Sequence, residues 1–232
     1  MNRPMLFFSG ALLILLLLGQ MAFADERSPI YRISTGVDAG YGIDKSMLGE
    51  MLIDMLAPQS VSNVGVDYTV NSGPAVEIPL IFRGTLGSNI YFIASPAIHF
   101  SMNTAEGSAV MTTGSGVVYA DIADTISVMG ARIGAGAGVE ISDKLHLEIM
   151  NFAGINSVSR NYEITFSGDA ENKVSGTNQG TGYGYGINLG VYYSFPNDSH
   201  LGFRVGYLGS SVKLRDVTYK QNGAAFAVEF GY

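Results

Sequence analysis

The chain has 232 residues and a formal net charge of −7, so it lacks the basic surface that phosphate recognition requires, and nucleic acid is excluded as a partner. It contains no cysteine, which excludes a disulfide framework, thiolate catalysis, a cysteine zinc site and a lipoprotein anchor. The length suits one domain.

At the start, Arg3 precedes an apolar run from Met5 to Leu18, and Ala22-Phe23-Ala24 stands ahead of Asp25. The run is shorter than the ~20 residues of a spanning helix, and small residues sit where a peptidase would cut. A cleaved signal peptide is therefore expected over residues 1–24, leaving 25–232 as one exported domain. From Tyr31 onward the residues alternate. Tyr31, Ile33, Thr35, Val37, Ala39, Tyr41 and Ile43 share one face, and Arg32, Ser34, Gly36, Asp38, Gly40, Gly42 and Asp44 the other. Period two over such a run predicts an extended strand.

The segment SMLGEMLIDMLA, residues 46–57, changes the period: Met47, Leu48, Met51, Leu52, Met55 and Leu56 fall at helical spacing. It predicts a short amphipathic helix that packs over the mouth of the domain or against Val64, Val66, Tyr68 and Val70. Alternation then resumes with Val76, Ile78, Leu80 and Phe82, and recurs over Ile90–Phe100, Met129–Ile141, Leu145–Ala153, Tyr183–Phe195, Leu201–Tyr207 and Phe226–Tyr232. The links are short at residues 84–89, 142–144 and 196–200, with four longer ones between. No stretch after residue 24 is long and apolar enough for a spanning helix, so any crossing of a bilayer is made by strands. The pattern predicts an all-β fold: an eight-stranded antiparallel up-and-down transmembrane β-barrel, with the helix in its first outer loop and short turns on the periplasmic side.

Aromatic residues gather at strand ends: Tyr31, Phe82 and Phe195 at one, Tyr41, Phe100, Tyr183 and Tyr207 at the other. These are the expected membrane-interface girdles, built without tryptophan. The opposite faces carry many glycines, among them Gly36, Gly134, Gly136, Gly138, Gly186, Gly190 and Gly202, where a soluble sandwich would carry lysine, glutamate and threonine. A crowded, curved interior follows. That interior collects Arg32, Asp38, Glu77, Arg83, His99, Arg132, Glu140, His146, Glu148, Arg204 and Glu229. Eight strands leave room for side chains alone, so a luminal network of ion pairs that fills and seals the barrel is expected, with Arg32 facing Glu229 across the closing seam. A narrow gated polar path is the alternative. In the last outer loop, Lys213, Arg215 and Lys220 form a cluster suited to lipopolysaccharide phosphates or to plain solvation.

The mature chain resembles the small outer-membrane barrels typified by the OmpA transmembrane domain and OmpX. Its ending, with Phe226, Val228, Phe230 and Tyr232 at every second position, is similar to the C-terminal signal read by the barrel assembly machinery. The resemblance implies the outer membrane of a Gram-negative-type bacterium, partners in outer-membrane lipid and lipopolysaccharide, and a monomer with no cofactor and no metal. It carries no catalytic motif, and a non-enzymatic role in envelope structure, adhesion or partner contact through the outer loops is expected. A channel for small or hydrophobic solutes is a second reading.

A lipid A-modifying enzyme is a third. Pro79 and Pro96, each lacking a ladder N–H, are similar to the lateral lipid entrance of the lipid A palmitoyltransferase barrel. His99-Phe100-Ser101 resembles the His-x-Ser element of lipid A deacylases, although the asparagine follows one position late and no orienting acid is evident.

Overall fold

The structure, a computed structural model, describes residues 30–56, 61–114, 116–167, 173–214 and 217–232. The expected signal peptide and Arg215 lie outside the described residues. Ten strands form one antiparallel sheet: β1 (Ile30–Asp38), β2 (Tyr41–Ile43), β3 (Val61–Val70), β4 (Gly73–Thr85), β5 (Ile90–Thr113), β6 (Gly116–Ser142), β7 (Leu145–Phe166), β8 (Lys173–Ser194), β9 (His200–Leu214) and β10 (Val217–Gly231). The helix α1 (Lys45–Leu56) lies between β2 and β3.

The sheet closes into a ring of eight staves, because two of them are broken in mid-course. β1 and β2 both pair with β10, and β3 and β4 both pair with β5. Closure is made by β1 against β10, with Ile33 opposite Phe230 and Thr35 opposite Val228. Backbone bonds run in both directions between Tyr31 and Tyr232 at its end. The eight-stranded up-and-down barrel is thus formed as the alternation predicts.

Three of the four connections foreseen as long outer loops are instead mostly strand. β5 and β6 ladder without interruption from Ile90/Val139 to Thr113/Gly116. The turn at their tip uses Gly116 at φ 141°, a backbone conformation closed to side-chain-bearing residues. β7 and β8 likewise ladder from Leu145/Tyr193 to Thr165/Lys173. A bilayer needs only ~9–11 residues of tilted strand, so a strand of 24 residues such as β5 rises well beyond it.

The two halves of the tube have opposite polarity. In the lower half the outward residues are apolar: Ile98, Phe100, Met129, Ile149, Ile187, Leu189, Phe203, Phe226 and Val228 are all exposed. In the upper half, outward positions hold Thr104, Glu106, Asp121, Asn161 and Gln179, while Ala105, Met111, Ile122, Ile126, Ile164, Val212 and Leu214 point inward and are buried. A surface that is greasy outside and charged inside suits lipid; the reverse suits water.

Proline shapes β4. The β4–β5 ladder is intact at Pro79/Ala97 and again at Phe82/Ala94, but has no paired residues between, next to Pro96. The β1–β4 ladder skips from Tyr31/Leu80 to Ser34/Glu77 at the same height. The two prolines therefore do meet and interrupt the ladder, as their missing N–H groups require.

Candidate functional site: a filled lumen under a helical stopper

From the short-turn end upward, the lumen is a stack of polar layers. The lowest is hydrogen-bonded: Ser194 Oγ sits 2.9 Å from His146 Nε2 and 2.8 Å from His200 Nδ1. Above it, Glu148 on β7 takes a two-pronged bond from Arg32 on β1, at 2.7 and 2.9 Å, with Arg83 at 2.5 Å and the Tyr91 hydroxyl donating at 3.0 Å. Arg32 lies 3.9 Å from the centre of the Tyr192 ring. The ring faces Gly190 and Gly202, and Tyr91 faces Gly138 in the same way; a Cβ at any of these glycines would collide with the aromatic carbons. The luminal glycines thus make room for rings lying against the wall.

The next layer centres on Glu77, held by Arg204 at 2.7 Å and Arg132 at 2.9 Å, while Arg204 also reaches Glu229 at 3.0 Å and Ser34 Oγ at 3.0 Å. His99 follows, with Nε2 3.0 Å from Asp38 and Nδ1 3.7 Å from Glu77. A buried charge is tolerated only with a partner, and every arginine in these layers touches at least one carboxylate. Two small cavities remain between the layers, of about 20 and 10 Å3, each room for about one water molecule.

Ten of the eleven residues expected in the lumen are grouped in these layers, and Glu140 is half-buried near the short-turn end of β6. The expected seam pairing of Arg32 with Glu229 is secondary. They lie 3.6 Å apart, because Glu229 stands opposite Ser34 and Arg32 reaches across the lumen to Glu148. No acid beside His99 is evident in the sequence, and the structure brings Asp38 to it from β1.

Tyr31, Phe100, Tyr183, Phe195 and Tyr207 are exposed on the outer wall, with Phe82 half-buried there. Tyr41 corrects the expectation: it is 0% exposed and points into the lumen. At the break between β1 and β2 the inward phase changes from even-numbered Asp38 to odd-numbered Tyr41, which turns the ring away from lipid. Its hydroxyl donates to Ser210 Oγ at 2.5 Å and accepts from Asn156 Nδ2 at 2.8 Å. Phe226, Val228 and Phe230 lie outward on the closing strand, laddered to β1.

The mouth is closed by α1. Asp44 caps it: its carbonyl accepts from the Leu48 N–H at 3.0 Å and its carboxylate from the Ser46 N–H at 2.9 Å. The Ser46 side-chain and backbone bonds hold the Asp44 carboxyl below its ordinary value. Leu48 and Leu52 are fully buried within the upper core, flanked by Met47, Met51 and Met55, and Gly49 faces Val64 and Val66 of β3. Both alternatives foreseen for the helix are therefore realised together. β3 turns its valines inward because a second phase change, at Asn71–Ser72, follows it.

Beneath the helix lies a polar cluster that the sequence reading missed. Arg160, 0% exposed, makes bonds of 2.8 and 2.7 Å to Asp124, whose Oδ2 also accepts from the Tyr68 hydroxyl at 2.6 Å. Burial, with the adjacent Asp124, pushes the Tyr68 hydroxyl well above its ordinary value. Arg160 lies over the Tyr162 and Tyr219 rings and touches Met51 Sδ at 3.7 Å. The missed signal is a change of parity: on β6 the apolar residues run at odd numbers down from Met129 and at even numbers up from Val128. Among the described residues, no group of three or more histidine, aspartate or glutamate side chains is arranged to hold a metal ion.

Fold, belt and packed lumen define a small transmembrane β-barrel of eight strands. No protein-family model matches the chain, and no curated protein matches it in sequence. Solved structures similar to it are small barrels. Ail, the attachment invasion locus protein of Yersinia pestis, in complex with the heparin analogue sucrose octasulfate, is 13% identical over 89% of this chain and 100% of its own, with a TM-score of 0.36. Neisserial surface protein A is 12% identical over 88% and 98%, with a TM-score of 0.38. The outer membrane protein OprG from Pseudomonas aeruginosa is 13% identical over 89% and 96%, with a TM-score of 0.34.

Proposed function

We propose that this chain is a sealed, non-enzymatic outer-membrane barrel that serves the cell envelope through its outer face, by structural support, adhesion or partner contact. The observation that carries this reading is the filling of the lumen among the described residues: charged layers with cavities of about 20 and 10 Å3 between them, closed above by α1 and the Arg160–Asp124 pair. Outer-membrane lipid and lipopolysaccharide are its surroundings, the assembly machinery is its partner during insertion, and the functional unit is a monomer. Purified protein in a planar bilayer is expected to give no steady openings, and sustained conductance would replace the sealed reading with the channel. Heat-modifiable migration together with fractionation into the outer membrane tests the location.

One observation favours the enzyme as a second reading: Asp38 lies 3.0 Å from His99, and Ser101 shares the inward face of β5. All three are buried inside the barrel rather than presented to lipid, and on that ground the enzyme remains second. Lipid A from cells expressing the chain, compared by mass spectrometry with lipid A from cells expressing the His99→Ala variant, tests it. An unchanged spectrum is expected.

A further inference from the structure

The outer wall is dented at the break between β3 and β4. Residues 71–74 oppose only residues 102–104 of β5, since the ladder passes from Val70/Ala105 to Ala75/Ser101. Pro74, which has no N–H to donate, is the second residue of β4. The dent widens into a groove of about 460 Å3 lined by Pro74, Val76, Phe100, Met102, Ser127 and Met129. Val76, Phe100, Met102 and Met129 are exposed on the outward face. No charged side chain lines it, and its polar groups are serine hydroxyls.

The height of the groove decides what fills it. Met102 and Met129 are the apolar outward residues of their strands that precede Thr104, Glu106, Thr125 and Asp121, so the groove lies at the outer edge of the belt. Water is scarce there and a void is unfavourable, because the wall atoms lose their dispersion contacts. A headgroup would find no ionic partner. An alkyl chain lying in the open groove would touch Pro74, Val76, Phe100, Met102 and Met129 together, more apolar wall than a smooth stave offers. We infer that this groove is a binding site for one acyl chain of an outer-leaflet lipid, held there longer than the chains sliding over the rest of the wall. The inference rests on the membrane reading above.

The chain has no tryptophan, so a single introduced indole reports its own surroundings. Phe100→Trp places it in the groove, and Tyr183→Trp places it at the same edge of the belt on β8. Both variants are reconstituted in vesicles in which brominated phosphatidylcholine is diluted into ordinary phosphatidylcholine. With the brominated lipid at about a tenth of the total and mixed to equilibrium, the groove indole, touched by one held chain, is expected to be quenched in proportion to that fraction, and the control, touched by several chains, about twofold more. Adding Ser127→Phe to fill the groove is expected to abolish the difference. Coincident quenching curves for the two indoles, or a difference that survives Ser127→Phe, would overturn the site and leave the membrane reading standing. No quenching of either indole at any brominated fraction would overturn both.

Discussion

Below Phe100 and above it, the same strands solve opposite problems. The lower half turns isoleucine, leucine and phenylalanine outward and keeps Arg32, Glu77, Arg132, Glu148 and Arg204 inside; the upper half turns threonine, asparagine and glutamate outward and packs α1 inside with Ile122, Ile126, Ile164 and Leu214. No strand from β5 to β10 breaks to make the change. One residue step in the apolar pattern suffices, because successive side chains point to opposite sides. The lower half resembles an inverted protein and the upper half an ordinary one, and each holds a buried ion pair at its centre.

The comparison is most severely tested at Glu148. Glu148→Leu leaves Arg32 and Arg83 without their shared carboxylate in the lumen, and a loss of about 3–5 kcal/mol is expected, read by urea unfolding in lipid vesicles and by loss of the heat-modifiable band. In the upper half, Leu52→Ala removes a side chain with no exposed surface, and a loss of about 2–5 kcal/mol is expected, read as faster amide exchange across α1 and the inward residues of β5 and β6.

Outward positions of one strand sharpen the contrast. On β8, Leu189→Arg puts a charge into the belt and should cost about 2–4 kcal/mol, while Thr177→Arg, twelve residues higher on the same face, should change stability by less than about 0.5 kcal/mol. Equal effects would mean that the polarity switch is not a membrane boundary. The smallest effect belongs to the cap. The folded Asp44 carboxyl lies below its ordinary value of 3.8, so its contribution is present above that pH and is lost as pH falls through the lower, folded value. Asp44→Ala should speed exchange at the first turn of α1 near neutral pH and remove this acid sensitivity.

Much of this was legible in the sequence. Apolar alternation located every membrane-facing strand, the inward arginines and glutamates of the lower lumen, and the turns, expected at residues 84–89, 142–144 and 196–200 and found at 86–89, 143–144 and 195–199. Period two says only which residues share a face, however, and not which face is wet. Tyr41 and Val64–Val70 lie beyond breaks at Ala39–Gly40 and Asn71–Ser72, where the phase changes; Gly40 and Asn71-Ser72-Gly73-Pro74 are turn-forming residues, but each sits inside an otherwise continuous alternation that masks the change. Arg160 and Asp124 lay in stretches taken for loops, although the shift of apolar residues from odd to even numbers on β6, β7 and β9 marks the transition. The partner of Arg32 depended on which side chains meet across the lumen, which the order of strands leaves open.

The parity switch also makes the barrel a depth gauge. From Ile90 to Met102 a tilted strand rises about 30 Å, and neither end of that interval can slide without cost. Sinking by one residue pair would draw Thr104, Ser157 and Thr181 into oil, and rising by one would lift Met102 and Tyr183 into water. The protein therefore carries its own specification of bilayer thickness, and a host membrane several ångströms thicker or thinner would have to deform around it to accept it.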